Sequence, residues 1–173
     1  MNDSLVFTFL GLDRPGLVER LADLVADHHG NWLESRMTKL AGQFAGIARV
    51  TVPEQEVDEL SNALLSLNVE GLTINIQPGQ HAPTTATSAA KICKLHILGN
   101  DRPGIVREVS RALKQQQINV VEMSSNITSA AMSGDSLFEA HVSAEMPLGC
   151  NLDELEESLD TIADQLSVDI ILS

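Results

Sequence analysis

Apolar and polar residues follow a pattern along the chain that predicts a series of short strands and amphipathic helices. Residues 4–10 are apolar and partly alternating, which is typical of a strand, and residues 92–98 have the same character. Helices are predicted to begin at Pro15 and Pro103, because proline needs no hydrogen-bond donor in a first turn. The first helix is predicted to end at Gly30.

The remainder of each half predicts two strands, a helix and a closing strand. In the first half the strands are predicted at 31–40 and 43–52 around an Ala41-Gly42 hairpin turn, with a helix at 54–67 and a strand at 72–77. The second half predicts strands at 119–128 and 136–146, a helix at 152–166 and a strand at 168–172. The order βαββαβ occurs twice, which indicates an α+β protein of two ferredoxin-like domains. Each is a four-stranded antiparallel sheet with two helices on one face.

The two halves also share a motif. Gly11-Leu12-Asp13-Arg14-Pro15-Gly16-Leu17-Val18 returns 88 residues later as Gly99-Asn100-Asp101-Arg102-Pro103-Gly104-Ile105-Val106. At the same offset Asn31 matches Asn119, which indicates a duplication. Residues 81–90 contain no charged side chain and no apolar period, so they are predicted to be a linker. The predicted domains are therefore 1–80 and 91–173.

Charge and cysteine content narrow the possible functions. The chain has 24 acidic and 11 basic residues and a net charge of −13, shared between the halves as −6 and −7. Nucleic-acid binders normally present a basic face, so direct DNA or RNA binding is not expected.

Cys93 and Cys150 have no metal-ligand spacing and are expected to be reduced, one in the core and one in a loop. No apolar run reaches the length of a membrane span, and a cytoplasmic location is expected.

A strand ending in Gly-x-Asp-Arg-Pro-Gly-(Leu/Ile)-Val, then a helix, then an asparagine opening the second strand, resembles the ACT domain, a small regulatory module that binds amino acids. The resemblance covers both halves. In ACT pairs that bind amino acids, the ligand usually lies between domains, held by the loop after the first strand and by the start of the second strand.

A pair of ACT domains without a catalytic or DNA-binding domain is similar to the glycine cleavage system transcriptional repressor family. The segment from Ala131 to Phe138, with its Met-Ser-Gly core, is similar to a longer loop in those proteins. The resemblance implies a transcriptional regulator that responds to glycine or a serine-like amino acid. It would act through a protein partner, a DNA-binding activator. Separately, the edges and open faces of the two predicted sheets are expected to pair, within one chain or with a second chain in a homo-oligomer.

The chemistry of an amino-acid ligand selects the candidate site residues. Main-chain N–H groups at a helix start favour a carboxylate, and glycine allows it to approach closely. An aspartate can receive the ammonium group, and asparagine can bond either end. The candidates are Asp13, Arg14, Gly16, Leu17, Asn31, Asn100, Asp101, Arg102, Gly104, Ile105 and Asn119.

Structural roles are open for several of these residues. Asp13 and Asp101 could serve simply as helix caps, without any ligand. The glycines could be present because they allow close packing of helix against strand, and the arginines could form solvated ion pairs on the surface. Trp32 could belong to the sheet core or to the wall of a ligand pocket. The second loop is favoured if only one binds, because Asn100 stands where the first loop has Leu12.

No catalytic or metal site and no cofactor is predicted. Gly134-Asp135-Ser136-Leu137 matches a lipase-type signature, but it falls in a hairpin loop and the only downstream histidine, His141, has a mostly structural role in a strand. No histidine has metal-ligand spacing to another histidine in the sequence. The sequence therefore predicts an amino-acid-responsive regulator rather than an enzyme. The alternatives are a regulatory subunit of an amino-acid metabolic enzyme and a ligand-free oligomerisation module.

Overall fold

The chain divides into two compact units, residues 1–85 and 86–173. The computed structural model describes residues 2–79, 91–130 and 134–173. The linker predicted at 81–90 lies outside the described residues, as do Ala131, Met132 and Ser133 of the loop that carries the Met-Ser-Gly core.

The first unit contains four strands and two helices. Its elements are β1 (Asn2–Leu12), α1 (Leu17–Asp27), β2 (Asn31–Leu40), β3 (Gln43–Pro53), α2 (Val57–Ser66) and β4 (Leu72–Pro78), with 3-10 turns Glu54–Glu56 and Leu67–Glu70 flanking α2. The strands form one antiparallel sheet in the order β2-β3-β1-β4. The predicted Ala41-Gly42 turn joins β2 to β3, and both residues have positive φ, 49° and 77°, as a tight hairpin turn requires.

The second unit repeats this order. Its elements are β5 (Lys91–Asn100), α3 (Ile105–Gln115), β6 (Asn119–Ser129), β7 (Ser136–Met146), α4 (Leu152–Leu166) and β8 (Val168–Leu172). The sheet order is β6-β7-β5-β8, again antiparallel. The predicted ferredoxin-like α+β class is confirmed in both units.

Each core lies between a sheet and its two helices. Alternate residues of β1, including Phe7 and Phe9, are buried in one cluster with Leu21 of α1 and Leu60 of α2. Since both helices share one cluster with the same strand positions, both lie on the same face of the sheet. The opposite face leaves Leu10 47% exposed.

The end of α1 differs from the prediction. The left-handed residue there is His29, with φ of 58°, and not Gly30. Gly30 is needed for another reason, because a Cβ on it would lie 2.8 Å from the carbonyl oxygen of Val25 and 3.1 Å from that of Thr51. The glycine thus allows the chain to pass close to the helix end and to β3.

The strands that follow α1 and α3 lie at sheet edges and share an irregularity. In β2 the pairing register with β3 shifts between Trp32 and Glu34, and in β6 the register with β7 shifts between Val120 and Glu122. Every residue of β6 is exposed. The two shifts are at equivalent positions of the duplication, so each edge strand contains the same bulge.

Candidate functional site

The loops after β1 and β5 adopt the same turn. The helices begin at Leu17 and Ile105, after Gly16 and Gly104, whose φ angles are 88° and 103°. These angles lie in the left-handed region, which favours glycine. The prediction that each proline opens its helix is wrong, because the glycine that follows it is the last residue before the first helical turn.

At neither helix start does a side chain accept a hydrogen bond from a main-chain N–H group, so the capping interpretation of Asp13 and Asp101 is also wrong. The carboxylate of Asp13 forms an ion pair with Lys39 instead. The main-chain N–H of Asp13 donates to the carbonyl oxygen of Gly42 at 3.0 Å, and that of Asp101 donates to Ser136 at 2.9 Å. Each aspartate therefore attaches its loop to the neighbouring hairpin through the main chain.

The arginine of the first loop is also engaged. Arg14 donates to the main-chain carbonyl of Glu70 at 2.7 Å, and the carboxylate of Glu70 pairs with Arg20. Arg14 therefore connects the loop to the turn that precedes β4. Both charged side chains of the first loop are held by contacts within their own unit.

The second loop lacks these contacts. Within the described residues, the side chains of Asp101 and Arg102 form neither a hydrogen bond nor an ion pair, and both are exposed. The position that corresponds to Lys39 is Ile127, which cannot neutralise an aspartate. One cation and one anion therefore stand free beside the start of α3.

The first helical turn reverses its charge between the copies. Glu19 of α1 corresponds to Arg107 of α3 at the 88-residue offset. A Cβ on Gly16 would lie 4.0 Å from Oε2 of Glu19, whereas a Cβ on Gly104 would lie 3.5 Å from Nη2 of Arg107. The space beside the glycine is thus bordered by a carboxylate in the first loop and by a guanidinium in the second. Sequence reasoning missed Arg107, although comparing the copies position by position reveals it.

The same comparison shows what the glycines do. The nearest atom to a Cβ on Gly16 or on Gly104 is the end of a flexible side chain at ordinary contact distance. Close packing of helix against strand is therefore not the reason for either glycine. The motif glycines that do allow close packing are Gly11 and Gly99, where a Cβ would lie 2.7 Å from Leu72 and Val168 respectively.

The predicted asparagines lie away from their own loops. Asn31 pairs with Thr51 of β3, eight residues along that strand from Gln43, whereas the first loop lies beside the hairpin at Gly42. At about 3.3 Å per residue the separation is about 26 Å. Asn119 pairs with Glu145, at the corresponding end of the second sheet. One unit by itself does not bring its asparagine to its loop.

The remaining candidates are divided between core and surface. The side chains of Leu17 and Ile105 are buried, so only their main-chain groups are available to a ligand. Asn100 is exposed at the end of β5. Trp32 packs against the first core, and its ring meets that of Phe7 edge to face with centroids 5.8 Å apart. Trp32 therefore contributes to the core.

Two histidines that are far apart in sequence meet in the second sheet. His96 of β5 pairs directly with His141 of β7, and their rings stack with centroids 4.5 Å apart. Glu139 accepts a hydrogen bond from Nε2 of His96 at 2.9 Å. The sequence spacing concealed this group, because the strand register and not the distance along the chain brings the two rings together.

Ser136 occupies the first position of β7, and its carbonyl oxygen accepts the hydrogen bond from the main-chain N–H of Asp101. His141 is five residues further along the same strand, which places it about 16 Å away. This arrangement does not provide the adjacent base that a serine nucleophile needs.

The two cysteines differ in environment. Cys93 is buried in the second core and Cys150 is partly buried beside it. Burial raises the pKa of the Cys93 thiol, and the nearby Cys150 raises it further. Among the described residues, no helix is long and apolar enough to cross a membrane.

Comparison with known proteins identifies the fold of the first unit. Residues 3–77 match the family model of the ACT domain. No curated protein matches the chain. The crystal structure of an unknown protein from Galdieria sulphuraria is 26% identical, with a TM-score of 0.87 over 100% of this chain and 98% of that one. A second structure, of a "putative glycine cleavage system transcriptional repressor", is 22% identical, with a TM-score of 0.69 over 100% of this chain and 97% of that one.

Proposed function

Because the chain carries an ACT domain in its first unit and the same fold in its second, we propose that it is a regulatory protein that binds a small amino acid, glycine or serine, at the loop from Asn100 to Ile105. Binding at this loop changes how the protein acts on a protein partner. The partner is a DNA-binding activator of transcription.

The contrast in charge between the two loops carries this proposal. In the first loop Asp13 and Arg14 are already held by Lys39 and by the carbonyl of Glu70. In the second loop Asp101 and Arg102 have no such contacts among the described residues. A zwitterion needs one anion and one cation that are not already paired, and only the second loop offers both.

Each end of an amino acid has a matching group at this loop. The carboxylate is received by the main-chain N–H groups at the start of α3, where the helix dipole is positive, with Arg102 as the unpaired cation. Arg107 lies beside the same turn and is paired with Glu108 at 2.9 Å. The ammonium is received by Asp101, and the amide of Asn100 can bond either end. A short side chain suits the site because the charged groups supply the recognition.

The asparagines Asn31 and Asn119 enter the site in a different way. Since each lies about 26 Å from the loop of its own unit, it reaches a ligand only from another copy of the fold. We therefore propose a homo-oligomer in which an asparagine completes a neighbouring site. Ligand binding would then be coupled to assembly, and the coupling is limited by the difference in ligand affinity between the two states.

Two observations support an indirect action on transcription. The net charge of −13 opposes contact with phosphate backbones, so the protein needs a partner to reach DNA. The fold of both units is also shared with the "putative glycine cleavage system transcriptional repressor". We propose the same target, the glycine cleavage genes, for this protein.

A ligand-free oligomerisation module is the second candidate. The first loop favours it, because its charged side chains are fully used in holding the turn to the hairpin and to the start of β4. If the second loop serves only a similar structural purpose, no amino acid binds either unit.

Thermal unfolding with each common amino acid separates these candidates. A ligand that binds only the folded state stabilises it by about 2.7 kcal/mol at a concentration of 100 times its Kd. We expect glycine or serine to raise the Tm of the native chain, and Asp101→Asn and Arg102→Gln to abolish the rise. The matched first-loop variants Asp13→Asn and Arg14→Gln should keep it.

The alternative outcomes are equally clear. No shift with any amino acid would support the ligand-free module. A shift that is lost in Asp13→Asn but kept in Asp101→Asn would place the ligand at the first loop.

A second experiment tests the transcriptional role. Deleting the gene should raise expression of the glycine cleavage genes. Reintroducing the wild-type gene should restore control, whereas the Arg102→Gln variant should not. Unchanged expression in the deletion strain would reject that target.

A further inference from the structure

The exposed face of the second sheet carries a group of metal-binding side chains at its centre. His96 and His141 are cross-strand partners on β5 and β7, and Glu139 stands two residues before His141 on the same face. His141 is the most exposed of the three, at 62% of its side chain, and the other two are about one third exposed. The group faces away from the core that α3 and α4 cover.

The three donor atoms lie close together. Oε1 of Glu139 lies 2.9 Å from Nε2 of His96 and 3.6 Å from Nε2 of His141. All three ligand atoms lie within 4.8 Å of one another. In a tetrahedral zinc site with bonds of about 2.0–2.1 Å, ligand atoms are about 3.4 Å apart. The observed separations from Glu139 are on either side of that value.

Of the two histidines, only His96 lies at hydrogen-bond distance from Glu139. The 3.6 Å separation between Glu139 and His141 is too long for a hydrogen bond. Two protonated histidines directly opposite each other would also repel. A neutral imidazole keeps one nitrogen lone pair, which is the form that binds a metal, so the proton that Nε2 of His96 donates to Glu139 must lie on Nδ1 when the ion is bound. A cation among the three atoms would use both lone pairs and the carboxylate charge together.

We propose that His96, Glu139 and His141 form a site for a divalent transition-metal ion, with Zn²⁺ as the best match. Two imidazoles and one carboxylate are a ligand set that zinc accepts, with a fourth position left for water or another ligand. The stacked rings, which are 9° from parallel, must tilt so that both lone pairs meet at the ion. The high exposure of His141 leaves its ring free to do so.

The three residues lie apart from the amino-acid loop. The strand position opposite His141 on β6 is Ser124, and the position opposite His96 on β8 is the exposed Ile171. The loop at Asp101 begins five residues after His96 in the sequence, at the end of β5. The metal site therefore does not depend on amino-acid binding, and either proposal can fail alone.

The test is a titration of the full chain with Zn²⁺, monitored by calorimetry, after a chelator has removed bound metals. We expect one ion per chain and a Tm that rises with Zn²⁺. His141→Gln and Glu139→Gln should each weaken binding by about 100-fold or more, since loss of a direct ligand exceeds the 10–100-fold effect of outer partners.

A matched control comes from the first unit, where His28, Glu56 and Glu59 form a group with only one histidine. His28→Gln should leave Zn²⁺ affinity unchanged. Co²⁺ substituted for Zn²⁺ should show visible absorption without a thiolate charge-transfer band, which excludes the cysteines as ligands. Absence of binding, or affinity that survives in both His141→Gln and Glu139→Gln, would overturn the proposal. Both positions are outside the core, so the Tm without metal should match the native chain and show that the variants fold.

Discussion

The backbone turn at Gly104 sets the direction of the main-chain N–H groups at the start of α3, and its energetic cost can be worked out. Replacing Gly104 with alanine adds only a Cβ, and the nearest atom to that Cβ is Nη2 of Arg107 at 3.5 Å, an ordinary contact. Steric overlap is therefore absent. The cost comes from holding a residue with a side chain at φ of 103°.

Two opposing terms give the magnitude. The left-handed conformation costs a residue with a Cβ about 1–2 kcal/mol, and the upper part of that range applies because 103° is far from the usual left-handed angle. Alanine also restricts the unfolded chain, which returns about 0.4–1 kcal/mol. We expect Gly104→Ala to destabilise the second unit by about 1 kcal/mol.

Native-state hydrogen exchange is the suitable assay, because the chain divides into two compact units and the exchange of individual amides reports local stability in each. The slowest amides of β5 and β7 should exchange about fivefold faster in Gly104→Ala, and those of β1 and β3 should not change. Gly104→Asn should have a smaller effect, because asparagine tolerates this conformation better. The exposed helix residue Ser110 provides a neutral control as Ser110→Ala.

Slower exchange in Gly104→Ala, or an equal increase in both units, would refute the reasoning. The first result would mean that the loop relaxes to an ordinary φ without cost. The second would mean that the two units do not unfold independently.

Further substitutions test the cores and the thiols. Gly46→Ala should cost about 1–3 kcal/mol in urea unfolding, because its Cβ would lie 2.5 Å from the ring of Phe9. Leu95→Ala, at a position only 1% exposed, should lower second-unit stability by about 2–5 kcal/mol in the same assay. Since burial raises the pKa of the Cys93 thiol, the unfolded chain loses that proton first as pH rises. The stability from neutral Cys93 is thus complete below about pH 8.5 and declines above it, and Cys93→Ala should reduce this decline in a pH series of Tm values. In the native chain an alkylating reagent should modify Cys150 before Cys93, as mass spectrometry of the peptides can show.

The arrangement of strands and helices could be predicted from the sequence because its signals are local. Strand β2 occupies the predicted residues 31–40, since Gly30 and the Ala41-Gly42 turn mark its ends. The helix starts could not be placed correctly, because proline is compatible with both a first helical turn and the loop before it. The left-handed angle of the following glycine decides between the two.

The candidate site was less predictable because its contacts are long-range. Glu70, which holds Arg14, lies 56 residues away in the chain. His96 and Glu139 are 43 residues apart and meet only through the register of β5 and β7. Periodicity identifies the strands but does not reveal which residue stands opposite which. The separation of each asparagine from its own loop likewise follows from the direction of the strands, which the motif does not encode.

The shared bulge in the edge strands β2 and β6 has a consequence for the solubility of the protein. An edge strand presents free N–H and C=O groups on which another chain can add a strand, and β6 is exposed over its full length. The bulge between Val120 and Glu122 leaves a residue outside the ladder and twists the strand locally. A strand added along this edge would lose its register at that point, so the edge resists edge-to-edge association into fibrils. The same bulge is present in both copies of the duplication. It therefore protects both edge strands, β2 and β6, against strand addition and aggregation.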